Sequence, residues 1–162
     1  MKTLYLIRHS SAEASHSSMQ DIVRPLTLEG VQRINSLCEF LNKRGVRFDT
    51  IVTSNAVRAF ETALYISEGL SLSQQNINRN KKMYTGNSDT YLDILFEQND
   101  IMKHVAFIGH NPQVTDLANY FLNNDNIFLL PCGLVAIQFL TNRWTDVCLA
   151  EKTFLFKWTP LS

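Results

Sequence analysis

The sequence is poor in cysteine and unbroken hydrophobic runs, and its charges balance; each shortage closes off a class of protein. Three cysteines, Cys38, Cys132 and Cys148, are odd in number and far apart. Without a C-x-x-C pair they suggest neither a disulfide framework nor a zinc ribbon. Set among apolar residues, they read as small core side chains in a reducing compartment. No internal repeat and no low-complexity linker is visible. No run approaches the roughly 20 apolar residues that a membrane-spanning helix needs. The apolar stretch Leu4 to Ile7 is too short for a secretory leader, and Arg8 follows it at once. Lys plus Arg and Asp plus Glu number 15 each, so a net charge of zero offers no general attraction to nucleic acid or to an anionic membrane. The expectation is a cytoplasmic protein with neither of those partners.

What is present fits an ordinary globular chain. Its 162 residues, 45% hydrophobic and 19% charged, suit one domain spanning 1–162. A chain of this size buries roughly two-thirds of the surface its unfolded form exposes. Strand and helix signals alternate, which predicts parallel βαβ units with helices on both faces of a sheet. A first strand is expected at 3–8, followed by a serine-rich polar loop over 10–24. Thr27 can cap a helix running to about Arg44, with Gly45 past its end, and its apolar positions Leu28, Val31, Ile34, Leu37, Cys38 and Leu41 keep a helical period. "DTIVTS" (49–54) reads as a second strand and 56–68 as a second helix, stopped near Gly69. A weaker strand is expected around 77–84, and 90–98 reads as helix. "HVAFIGHNP" (104–112) is again strand into turn, with Asn111 as N-cap and Pro112 at the first position of a helix reaching about Leu122. Residues 134–140 and 153–158 read as late strands, a pair joined by a long connection.

Three strand ends carry matching chemistry. The first offers Arg8 and His9. The second leads into "SNAVRAFETA", with Arg58 in the first turn of the next helix. The third offers Gly109 and His110 where another helix begins. In a parallel sheet these ends point the same way, and open α/β sheets keep their ligand crevices there. Two arginines, two histidines and a helix N-terminus then converge, a set suited to a phosphoryl group. Arginine presents fork-shaped donors to phosphate oxygens, and helix N-terminal amides add partial positive charge. A neutral histidine can attack phosphorus, while a second can donate to the oxygens as charge shifts. His9, beside Arg8, is the expected nucleophile, and Gly109 would let the backbone approach the ligand.

"LIRHSSA", "SNAVRAFETA" and "IGHNP" resemble the three motifs of the histidine phosphatase superfamily, which includes the phosphoglycerate mutases. Ser54, Ala56, Arg58, Ala59, Thr62 and Ala63 all match its S-x-A-x-R-A-x-x-T-A pattern. "DIVRPLTLEG" (21–30) is similar to the short branch typified by SixA-type phosphohistidine phosphatases. The resemblance implies an α/β fold, a three-layer α/β/α sandwich with a mostly parallel sheet. It also implies a covalent phosphohistidine mechanism with no metal or other cofactor. His9 would carry the phosphate, with Arg8, Arg58 and His110 forming the pocket. Thr62, one turn beyond Arg58 on the same helix face, reads either as a brace for the arginine or as a packing residue.

The departures bear on the substrate. Ser10 follows the nucleophile where Gly or Ala is common, and either adds a hydroxyl to the pocket or is a polar turn residue. Arg33 replaces a family glutamine and reads as a solvated helix residue. Many relatives carry a Glu after the third strand, to protonate an alkoxide leaving group. Around "MYTGNSDTYL" (83–92) there is none, and Asp89 reads as the start of a helix. Expelling an alkoxide needs a general acid, whereas imidazole, whose conjugate acid has a pKa of roughly 6.5, needs much less help. The expectation is therefore a phosphatase acting on phosphohistidine in a protein. The alternatives are a small-molecule phosphomonoesterase of the same superfamily and, in another class, a non-catalytic phosphate-binding module. Asp21 is the candidate acid or water-orienting group, its other reading being a loop carboxylate paired with Arg24. Glu13 is a further candidate on the same loop, while His16 and His104 are read as a solvated side chain and a strand-edge cap.

Overall fold

Residues 4–7 are covered on both sides, which explains the unbroken apolar run. In the computed structural model, which describes residues 1–161, they lie in strand β1 (Lys2–Arg8). Leu4 and Leu6 enter one hydrophobic cluster, Tyr5 and Ile7 the other. The remaining strands are β2 (Thr50–Thr53), β3 (Ile77–Arg79), β4 (His104–Gly109), β5 (Leu134–Phe139) and β6 (Lys152–Trp158). The sheet of the described residues runs β3-β2-β4-β1-β5-β6. The pairs β3–β2, β2–β4 and β4–β1 are parallel, while β5 runs antiparallel to both of its neighbours. Five strands thus share one direction, and β5 alone opposes them.

Helices α1 (Leu28–Lys43) and α2 (Val57–Gly69) cover one face, through Ile34, Leu37, Leu41, Ala59, Ala63 and Ile66. The four-residue α3 (Lys82–Thr85), α4 (Ser88–Phe96) and α5 (Gln113–Leu122) lie on the other, contributing Met83, Tyr91, Leu95, Leu117 and Phe121. The outcome is the three-layer α/β/α arrangement. Local signals hold where the sequence was explicit. Thr27 accepts from Gly30 N–H at 3.0 Å as the α1 cap, and Gly45 takes a left-handed φ of 67° beyond the helix end. Cys38 and Cys132 are buried and Cys148 is half-buried.

Three expectations need correction. The strand around 77–84 is only three residues long, because the chain turns at once into α3. Asn111 does not cap α5, which starts at Gln113 with Pro112 in the capping place. Its side chain is used elsewhere: Nδ2 donates to the Leu129 carbonyl at 2.9 Å and Oδ1 accepts from Thr115 at 2.8 Å. His104 is not at a sheet edge, since β4 lies between β2 and β1, where His104 Nδ1 meets the Tyr5 hydroxyl at 3.2 Å. Among the described residues no helix is long and apolar enough to cross a membrane.

Candidate active site

Register places the chemistry. Arg8 pairs with Gly109 across β1 and β4, and Thr53 pairs with Ile108 across β2 and β4. His9, Ser54 and His110 each come next along the chain and leave the sheet together at its carboxyl edge. Backbone bonds hold them there: His9 N–H donates to Gly109 O at 2.9 Å, and Ser54 N–H to Ile108 O at 3.1 Å. A cavity of about 500 Å³ opens at this edge. Arg8, His9, Arg58 and His110 all line it, as the sequence suggested.

His9 has a defined tautomer. Its Nδ1 lies 2.7 Å from the Ser10 carbonyl, which can only accept, so the ring proton sits on Nδ1. The Nε2 lone pair then faces Arg58, whose Nε–H donates to it at a long 3.4 Å. Burial pushes the His9 pKa down to about 3, and the positive surroundings of His110, Arg58 and Arg8 push the same way against the Ser10 carbonyl. A neutral imidazole at physiological pH follows.

His110 is 7% exposed, with its ring centroid 5.2 Å from that of His9. Its Nε2 is 2.8 Å from Ser54 Oγ. The Ser54 oxygen also accepts from Ala56 N–H at 3.2 Å, so Nε2 of His110 is engaged with Ser54 and Nδ1 is the ring nitrogen without a protein partner. Burial, then Arg58, lowers the His110 pKa to about 4. Arg8 donates to the Leu129 carbonyl at 3.2 Å through one terminal nitrogen, while its buried Nε has no partner. A buried donor without a partner is costly.

Arg58, 5% exposed, is held at three nitrogens. Besides Nε toward His9, one terminal nitrogen donates to the Asp21 carbonyl at 2.9 Å and the other to the Asp21 carboxylate at 3.1 Å. Thr62 braces the helix beneath it, donating to Arg58 O at 2.7 Å and accepting from Ser10 N–H at 3.0 Å. Asp21 itself lines the cavity. Its Oδ1 accepts from Arg24 at 2.8–2.9 Å, so the pairing with Arg24 and a place in the pocket are both realised. The Tyr84 hydroxyl donates to Asp21 Oδ2 at 2.7 Å. That bond first, then Arg24 and Arg58, holds the carboxyl down at about 2 against the opposing effect of partial burial. Asp21 is therefore an acceptor near neutral pH and not a proton donor.

Two expected contacts are not in the cavity. Ser10 is fully buried, and its hydroxyl donates to the Gly30 carbonyl at 2.7 Å, tying the strand end to α1. Its contribution to the site is its carbonyl, which orients His9. Gly109 serves packing instead of ligand approach: a Cβ there would lie 2.4 Å from the Tyr91 hydroxyl. Arg33 pairs with Glu29 at 2.7 Å on α1, away from the cavity. Glu13 is exposed, and His16 is an exposed partner of Ser18.

Arg24, Tyr84, Asn111 and Gln113 also line the cavity, and the sequence did not mark them as site residues. Tyr84 falls in the very segment searched for a glutamate, which was the available signal. Among the described residues, no three His, Cys, Asp or Glu side chains gather as a metal site would require.

The family model for the histidine phosphatase superfamily, branch 1, matches residues 4–91. No curated protein matches the sequence. Among solved structures, a candidate phosphohistidine phosphatase SixA from Nakamurella multipartitia superimposes with a TM-score of 0.84 at 20% identity, covering 99% of this chain and 97% of that one. A counterpart from Agrobacterium tumefaciens gives 0.83 at 21% identity, covering 98% and 99%. A protein histidine phosphatase SixA complexed with tungstate gives 0.82 at 18% identity, covering 98% and 97%. At such identities the likeness is one of fold.

Proposed function

Because the chain belongs to the histidine phosphatase superfamily, we propose that it hydrolyses phosphohistidine on a protein through a phosphoryl group carried by His9 Nε2. In the first step the Nε2 lone pair attacks phosphorus. The P–N bond to the substrate imidazole breaks, the leaving nitrogen takes that electron pair, and solvent protonates it. Water then attacks phospho-His9, releasing inorganic phosphate and returning neutral His9. Arg8 and Arg58 neutralise the equatorial oxygens, and His110 donates from Nδ1 as charge builds there.

The observation that carries the substrate class is the cavity's carboxyl inventory. Asp21 is the only Asp or Glu lining it among the described residues, and Tyr84, Arg24 and Arg58 keep it ionised. A site without a protonated acid is poorly matched to an alkoxide leaving group and well matched to imidazole. The fold neighbours described as SixA phosphohistidine phosphatases support the same reading.

The test is a side-by-side rate assay of a phosphohistidine-bearing protein against a panel of phosphate monoesters, with His9→Ala as control. Rapid loss of phosphohistidine with slow ester cleavage, both abolished in the variant, is expected. Preference for an ester would overturn the substrate class. Binding of phosphate with no turnover of either substrate would favour a non-catalytic module.

A further inference from the structure

We propose that Tyr84 is a positioning residue of this site: its hydroxyl clamps the Asp21 carboxylate onto the terminal edge of Arg58, so that the other edge of the guanidinium faces the reacting phosphoryl group. The inference rests on the phosphoryl-transfer reading above and adds a residue that no motif contains.

The geometry divides Arg58 into two edges. Its two terminal nitrogens reach Asp21, one to the carbonyl and one to Oδ2, at 2.9 and 3.1 Å. Its Nε points to His9 Nε2 at 3.4 Å. Asp21 therefore does not take the phosphoryl group's place. It holds the far edge, and the Nε edge remains beside the nucleophile. A planar fork held on one edge can present the other in a single orientation.

Asp21 needs holding in its turn. It sits on a short turn (Asp21–Val23) within the long loop after β1, and its side chain is 44% exposed. Arg24 grips Oδ1 from the same loop, so it cannot fix the loop relative to α2. Tyr84 grips Oδ2 from α3, 63 residues further along the chain. Its ring also stands edge-on to His110, with centroids 5.6 Å apart and planes at 74°, which anchors the clamp to the other catalytic face. One hydrogen bond thus joins the loop after β1 to the segment after β3 across the cavity. The charged and titratable groups around Asp21 are Arg24, Arg58 and Tyr84, with Arg8, His9 and His110 elsewhere in the same cavity.

Tyr84→Phe keeps the ring and removes only the clamp. It leaves Asp21 charged, so its effect reads alignment and not net charge. Small losses of alignment in a phosphoryl site cost rate steeply, and we expect roughly tenfold lower kcat/KM for phosphoramidate and roughly tenfold weaker binding of orthovanadate by calorimetry. Asp21→Ala removes an alignment and a negative charge together, so its own effect is a difference of two terms. The informative comparison is Tyr84→Phe in the parent and in the Asp21→Ala background. If Tyr84 acts through Asp21, the tenfold effect in the parent shrinks to less than about twofold in the second background. An equal loss in both backgrounds would make Tyr84 a merely structural neighbour of His110 and overturn the inference. So would a Tyr84→Phe protein that matches the parent in both readouts while the parent binds orthovanadate and turns over phosphoramidate. A parent that does neither would overturn the phosphoryl-transfer reading itself, and the role of Tyr84 with it.

Discussion

Lowering the pH from 7 to 5 should cost the fold about 2 kcal/mol for each of His9 and His110. In the unfolded chain both histidines take up a proton near pH ~6.5. In the folded protein burial holds His9 at about 3 and His110 at about 4. Between these limits the unfolded state binds more protons than the folded one, so stability rises with pH across the window. The contribution is complete above the unfolded value and is lost as pH falls toward the folded one. One pH unit is worth roughly 1.4 kcal/mol per histidine once the unfolded form is protonated, and the interval from 7 to 5 includes about 1.5 such units. Asp21 does not interfere, because a carboxyl held at about 2 loses its contribution only below the ordinary carboxylate range. Urea midpoints at pH 7 and pH 5 for the parent, His9→Asn and His110→Asn give the measurement. Each variant should lose about 2 kcal/mol less than the parent between the two pH values. Equal pH dependence in all three would refute the burial of neutral imidazoles at this sheet edge.

The same ionisations set the rate profile. With both histidines neutral in the free enzyme, kcat/KM for phosphoramidate should stay level from pH 7 down to 5 and fall only as the His9 lone pair takes up a proton, near about 3; an acid limb at pH 6–7 would contradict this. Thr62→Val removes the acceptor of Ser10 N–H and the donor to Arg58 O, both buried, and should destabilise the protein by about 1–3 kcal/mol in denaturant titration. It should also slow phosphoryl transfer, because Ser10 sets the His9 ring. Gly109→Ala would drive a Cβ to 2.4 Å from the Tyr91 hydroxyl, and the melting temperature should drop by roughly 3–10 °C. An unchanged melting temperature would show that the packing against Tyr91 is looser than the geometry implies.

Much of this fold is legible because local and global demands agree. Leu4 to Ile7 reads as a central strand since both of its faces are covered, and Thr27 and Gly45 mark the ends of α1 by rules that need no tertiary context. The four pocket residues were visible for a similar reason: each ends or follows a strand, and the parallel order brings the strand ends to one edge. Where tertiary partners compete, the reading slips. Asn111 has the chemistry of an N-cap, but Leu129 O and Thr115 claim its side chain. Ser10 has a hydroxyl beside the nucleophile, yet the close approach of α1 takes it: a Cβ on Gly30 would lie only 2.2 Å from Ser11 O. Gly109 looked like an opening for a ligand, and the space belongs to Tyr91. Tyr84 stayed hidden because its role depends on a carboxylate 63 residues away, a pairing that no local pattern encodes.

The central claim is that the phosphoryl group passes through His9 Nε2. A single turnover with a phosphohistidine-bearing protein, quenched within milliseconds and analysed by ³¹P NMR and peptide mass spectrometry, tests it most directly. A transient acid-labile phosphate is expected on the peptide containing His9, bonded to Nε2, that forms as substrate decays and disappears as inorganic phosphate appears. Substrate hydrolysis with no label on His9, or with label on another residue, would contradict it.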